Sequence, residues 1–164
     1  MVKPLGQITI DGETEDIEFV ESSTVTTGVE AHVYAFANDI SKDLAVVEVK
    51  AGHNTPLQKI LSGDETIEGY TSGAGSLVVT HADRTTKTYN FPSADNKPVI
   101  LGVGDVMQWF ADSEQGLVFY EVCKPPYEDG RFEDLGQPNS KVPTTTTQAG
   151  AIAPQNKPGP ALGK

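Results

Sequence analysis

The chain carries a single cysteine, Cys123, in 164 residues. One thiol excludes an intrachain disulfide framework and any thiolate cluster for zinc or iron–sulfur. Set in the apolar stretch LVFYEVC, it reads as a small buried hydrophobe rather than a nucleophile. Histidine is scarce too: His32, His53 and His81 stand in separate segments without metal-ligand spacing. No apolar run approaches the roughly 18 residues of a membrane helix, and the N-terminal stretch has no signal-peptide core. With no address visible, the expected location is the cytosol. Positive charge is sparse, 12 Lys and Arg against 23 Asp and Glu, giving a formal net charge of −11. A surface this acidic repels phosphate backbones and anionic lipid, so neither nucleic acid nor a membrane is an expected partner. A phosphate-cradling glycine loop, a nucleophile elbow and HExxH are all missing, and no cofactor is expected.

What remains is a pattern of short extended segments. Residues 31–37, 44–50, 58–61, 66–71, 76–81, 86–91, 99–103, 106–110 and 117–123 alternate or run apolar over strand lengths. Turn signals such as Ser62-Gly63-Asp64 and Ala82-Asp83-Arg84 separate them. Helical periodicity never lasts beyond a turn or two, and 126–135 is broken by proline and glycine. Such close-spaced strands predict an all-β sandwich or barrel. Residues 1–30 differ by charge, with one lysine and seven acids, and read as an acidic extended arm with short strands such as 7–10. Residues 137–164 hold five of the eleven prolines, a Thr144–Thr147 run and no acid, and are expected to be a disordered tail. The expected organisation is therefore arm 1–30, barrel 31–136 and tail 137–164.

The barrel segment resembles the cupin superfamily, small antiparallel jelly rolls. Gly52, five residues, Gln58-Lys59-Ile60, four residues, Glu65, seven residues and Gly73 follow the skeleton of that family's first motif. Gln58 and Ile60 stand where the family has metal-binding histidines. Gly104-Asp105 opens like the second motif, but no Pro-x-Gly-x-x-His follows, so Gln108, Trp109 or Gln115 falls at the fourth ligand position. Cys123-Lys124-Pro125-Pro126 closes the last strand as in many members. The resemblance implies a jelly roll of the cupin kind and a homodimer in which the arm pairs across subunits. Because neutral amides are poor ligands for iron, manganese or nickel, the expected metal site is none.

A barrel without its metal keeps a concave pocket suited to a small molecule, and acid–base chemistry needs a buried carboxyl and a proton donor. Counting from Gly73 puts Thr66, Glu68 and Tyr70 on one strand face; counting from Gly52 puts Glu65 and Ile67 there instead. The candidate catalytic groups are thus Glu65, Glu68, Tyr70 and His32. Candidate substrate contacts are Gln58, Tyr34, Gln108, Trp109 and Glu121. Gln108 and Trp109 point to opposite faces, so only one enters. Glu121 shares an apolar face with Leu117, Phe119 and Cys123, which makes it either ion-paired, to Lys59 or Lys50, or functional.

Three functional outcomes are compatible with this. The first is a metal-independent isomerase, cyclase, epimerase or dehydratase acting on a small oxygenated metabolite. The second is a non-catalytic barrel that binds a small molecule or serves as a dimeric scaffold. The third is a metal enzyme with atypical ligands. A carboxyl inside the barrel, bonded to another polar side chain, separates the first from the second.

Overall fold

The computed structural model describes residues 6–136; the expected tail at 137–164 lies outside the described residues. Twelve strands form among the described residues: β1 Gln7–Ile10, β2 Glu13–Thr26, β3 Val29–Phe36, β4 Asp43–Val49, β5 Leu57–Ile60, β6 Glu65–Gly73, β7 Gly75–Thr80, β8 Thr86–Phe91, β9 Val99–Leu101, β10 Val106–Ala111, β11 Leu117–Lys124 and β12 Phe132–Gly136. Among the described residues none is helical, and no helix is long and apolar enough to cross a membrane. Two antiparallel sheets curl against one another, ordered β1-β2-β3-β4-β11-β6-β9 and β12-β5-β10-β7-β8. The all-β jelly roll expected from the sequence is what forms.

The period of two along each strand divides the larger sheet into two apolar faces. Val29 and Ala31 of β3, Ala45, Val47 and Val49 of β4, and Leu117 and Phe119 of β11 point inward. There they meet Ile60, Met107, Trp109, Leu77, Val79 and Phe91 of the smaller sheet. The opposite face buries Tyr34, Phe36, Leu44, Val46, Tyr120 and Val122, with Ile8, Ile10 and Ile17 of the N-terminal strands packed against them. Burial on both faces explains why 44–49 reads LAVVEV, nearly continuous apolar sequence, rather than a clean alternation.

Two segments differ from the sequence expectation. Within the acidic arm, residues 13–26 form one 14-residue strand that pairs directly with β3, register-shifted between Phe19 and Glu21 and again between Thr24 and Thr26. Its acids are tolerated because most point to solvent, and Glu15 binds Lys42 Nζ at 2.7 Å. The segment read as irregular, 126–135, ends in β12, which adds to the edge of β5. Phe132 stacking on Tyr127 (5.9 Å) and the burial of Leu135 supply the apolar anchors.

The β6–β7 corner depends on Gly73. Its φ is +82°, and a Cβ there would overlap the carbonyl oxygen of Gly116, the residue just before β11. Gly73→Ala is expected to cost roughly 3 kcal/mol or more of unfolding free energy, since neither the backbone angle nor the carbonyl can yield cheaply. Gly102→Ala, where a Cβ meets nothing within 4 Å, is expected to stay within about 0.5 kcal/mol. Denaturant titration of both variants checks the pair, and equal losses would contradict this account of the corner.

Candidate functional site

Antiparallel pairing of β6 with β11 sets Glu68 directly opposite Glu121 on the inward face. The two side chains are 0% and 1% exposed. The Trp109 indole N–H, arriving from the smaller sheet, donates to Glu68 Oε1 at 2.6 Å. The Cys123 thiol approaches Glu121 Oε1 at 3.7 Å. The second oxygen of each carboxyl is buried with no donor from any other residue, which leaves the two carboxyls to each other. Two carboxylates cannot both stay ionised in such a place, because each is stripped of water and lies in the field of the other.

Burial pushes both carboxyls up. For Glu68 it acts together with the Glu121 charge and raises the group well above the ordinary range, the Trp109 N–H only partly opposing this. Glu121 is pushed up to about 7, again chiefly by burial, with the nearby Arg131 guanidinium among the groups pulling it back. Both shifts favour the protonated form, more strongly at Glu68, whose Oε1 accepts from the Trp109 N–H, than at Glu121. Burial and the Glu121 charge likewise keep Cys123 a neutral thiol.

Arg131 closes this end of the strand pair. Its Nη1 donates to Pro125 O (2.9 Å), and Nη2 to Glu65 O (2.8 Å), Thr66 Oγ1 (3.1 Å) and Lys124 O (3.3 Å), while Nε is buried unpartnered. The guanidinium fits only because position 63 is glycine, where a Cβ would overlap it.

The structure brings some sequence-predicted residues together and separates others. Thr66, Glu68 and Tyr70 share the inward face, as the Gly73 register requires. Tyr70 is half-buried; its hydroxyl donates to Gly73 O at 2.8 Å and its ring stacks on Phe91 at 5.6 Å. Gln58 is buried and inward, cross-strand from Met107. Trp109 enters the barrel; Gln108 faces away and donates from Nε2 to Thr55 O at 2.8 Å. Glu65 lies on the outer side and pairs with Lys124 Nζ at 3.3 Å, because one step along a strand reverses its face. His32 and Tyr34 also take the outer face, not the barrel mouth: β3 is in register with β4 so that Ala31 and Val33 point in. Glu121 is opposed by Glu68 rather than by Lys59 or Lys50. Arg131 carries no signal in the sequence, because it sits in a proline- and glycine-broken segment without periodicity.

The inner donor set is two carboxyls of raised proton affinity, a neutral thiol and an amide, with no imidazole among the described residues. Among the described residues no three of His, Cys, Asp and Glu converge to hold a metal ion. These donors do not fit a transition-metal centre built on imidazoles. An aromatic column, Tyr70–Phe91–Trp109–Phe119, with centroid spacings of 5.6, 5.6 and 4.4 Å, fills the inside of the barrel next to the pair. A hollow of about 410 Å³ opens where edge strands β8 and β9 meet, walled by Tyr89, Phe91, Lys97 and Val99. The loop 92–98 forms its rim. Val99 is the cross-strand neighbour of Glu68 and Phe91 packs on Trp109, so one layer of side chains separates hollow and carboxyl pair.

The raised carboxyls make stability depend on pH. Glu121 titrates near 4.5 when unfolded and near 7 when folded, so the folded state binds the extra proton between those values. Stability is then full below about pH 4.5 and falls as pH rises through 7, by about 3 kcal/mol from this group. Glu121→Gln, which is neutral throughout, is expected to flatten that fall and to melt above wild type at pH 8. Calorimetry at pH 5 and pH 8 checks this, and parallel pH profiles would refute it.

No family model matches the chain, and no curated protein matches it. Solved structures do. The chain is similar to Rru_A2000 from Rhodospirillum rubrum, a cupin-2 domain, at 15% identity over 77% of this chain and 80% of that one, with a TM-score of 0.52. A variant of Streptomyces PAC13, solved with uridine, aligns at 10% identity over 76% of this chain and 88% of its own, with a TM-score of 0.52. Lactobacillus farciminis oxalate decarboxylase in a formate complex aligns at 17% identity and a TM-score of 0.56 over 73% of this chain, which spans 33% of that protein. Together with the two curled antiparallel sheets, these likenesses show that the chain has the cupin fold.

Proposed function

We propose that this protein is a metal-independent cupin that performs acid–base chemistry on a small oxygenated metabolite, of the isomerase, cyclase, epimerase or dehydratase type. The observation that carries the proposal is the enclosed Glu68–Glu121 pair. An acid holding its proton beside a carboxyl poised near neutral pH is what proton abstraction and return require. Glu121 takes the proton, Glu68 supplies one, and the Trp109 N–H fixes the Glu68 carboxyl. The substrate enters from the β8–β9 hollow by displacing Phe91, and Tyr70 and Gln58 supply polar contacts from the barrel interior. Lys97 and Asp95, both lining the hollow, offer a donor and an acceptor to the hydroxyl groups of such a metabolite. The protein works in the cytosol as a homodimer, an assembly supported by the exposed Phe19, Val20 and Ile100.

A second reading is a non-catalytic binder that holds its ligand in the hollow. The aromatic column favours it, since those rings keep solvent and ligand off the carboxyl pair.

Uridine, present in the Streptomyces PAC13 structure, makes a ribose-bearing metabolite the first probe. NMR in deuterated water is expected to show protein-dependent exchange of a carbon-bound proton in a panel of ribosides and small hydroxy-carbonyl compounds. Glu121→Gln is expected to slow that exchange at least ~100-fold while the variant stays folded. Saturable binding without exchange by wild type would transfer the case to the binder, and absence of both would end it for either reading.

A further inference from the structure

The outer face of the larger sheet carries a second polar constellation, opposite in direction to the interior pair and independent of it. Ser22 on β2 is the cross-strand neighbour of His32 on β3, and Glu48 on β4 lies diagonally beyond. His32 Nδ1 is 2.7 Å from Ser22 Oγ, and its Nε2 is 2.8 Å from Glu48 Oε2. The imidazole is 2% exposed, Ser22 is exposed, and the Glu48 side chain is 43% exposed.

The proton positions follow from the inventory of donors and acceptors. An ionised Glu48 can only accept, so a neutral His32 must carry its hydrogen on Nε2. Nδ1 is then bare and must accept, and the one hydrogen offered to it is the Ser22 hydroxyl. The resulting row, hydroxyl to imidazole to carboxylate, is the relation in which a base activates a serine and a carboxylate holds the base in its tautomer. Because the three groups stand on adjacent strands of one sheet, their spacing is fixed by backbone pairing rather than by a loop.

Next to the serine lies room for a reactant. A hollow of about 250 Å³ is walled by Thr24, Thr26, Gly28, Glu30, Glu48 and Lys50. Thr24 occupies the same strand face as Ser22, one pleat along, and Glu48 belongs both to the hollow and to the row. Among the described residues, Lys50 is the one cation in that wall, beside the Glu30 and Glu48 carboxylates.

We propose that Ser22 is a nucleophilic serine for small activated acyl esters, with His32 as its base and Glu48 as the positioning residue. In the step, Ser22 Oγ bonds to the carbonyl carbon while its proton passes to His32 Nδ1. The bond from carbon to the alcohol oxygen then breaks, and the leaving alcohol departs with the proton from His32. Water, deprotonated by the same nitrogen, releases the acid and restores the hydroxyl.

The experiment uses the full chain with two probes, 4-nitrophenyl acetate and an alkyl fluorophosphonate. The fluorophosphonate forms a serine–phosphorus bond as fluoride leaves. Intact-mass measurement is expected to show one adduct per chain, mapped to Ser22 by peptide sequencing and absent from heat-denatured protein. Ser22→Ala is expected to abolish the adduct and lower ester turnover at least ~100-fold while melting as wild type does, since the hydroxyl it removes is exposed. His32→Gln is expected to do the same at Ser22. Glu48→Gln is expected to lower kcat about tenfold with little change in KM, and Glu48→Asp to restore most of that loss, a split that a merely structural role would not produce. Retention of the adduct in Ser22→Ala, or its absence from wild type at fluorophosphonate concentrations that label a known serine hydrolase, would overturn the proposal. Lower melting temperatures in His32→Gln and Glu48→Gln without any wild-type adduct would show the row to be structural only, which also overturns it.

Discussion

Two carboxyl groups set against each other in a dry interior impose a rule on everything around them: at least one must be protonated, and every remaining lone pair needs a donor. Glu68 and Glu121 meet because antiparallel pairing of β6 with β11 puts them in register. The indole of Trp109 crosses from the other sheet to supply one donor, the Cys123 thiol weakly supplies another, and Arg131 contributes positive charge from the end of the strand pair that it closes. Replacing such a pair with hydrocarbon would as a rule be neutral or stabilising. Simple cohesion is therefore a poor account of a carboxyl pair this deeply buried among the described residues.

The surroundings control who reaches the pair. Four aromatic side chains run in contact through the barrel, and Phe91 stands between the indole and the hollow at the β8–β9 seam. Water exclusion raises the carboxyls, and the same column stands between the pair and the hollow. Proton affinity and access are thus set by one group of rings, a coupling that follows from the low dielectric they create. The seam exists because β8 ends one sheet and β9 the other, so no strand ladder bridges them.

The larger sheet uses both of its sides. Inward residues of β6 and β11 hold the carboxyl pair, and outward residues of β2, β3 and β4 hold Ser22, His32 and Glu48 in a row. Alternation along a strand keeps the two apart by the thickness of the sheet itself. His32 illustrates the principle: with Ala31 and Val33 turned inward, it has no route to the barrel centre, and its polarity is met by β2 and β4 instead.

Alternating and apolar runs, the turn residues between them and the motif skeleton from Gly52 to Gly73 determined by themselves an all-β jelly roll, the inward face of Thr66, Glu68 and Tyr70 under one of two registers, and the unusual placing of Glu121 among apolar neighbours. Those are local properties, carried by period and by side-chain type. Which register holds, that Glu65 turns out to Lys124, that Glu121 meets Glu68 and not a lysine, that Arg131 reaches Thr66 and that Ser22 bonds His32 were decided only by tertiary structure. The reason is that strand register and partner choice depend on residues dozens of positions apart in the chain. A one-residue slip, invisible in composition, exchanges the inside of a sheet for its outside.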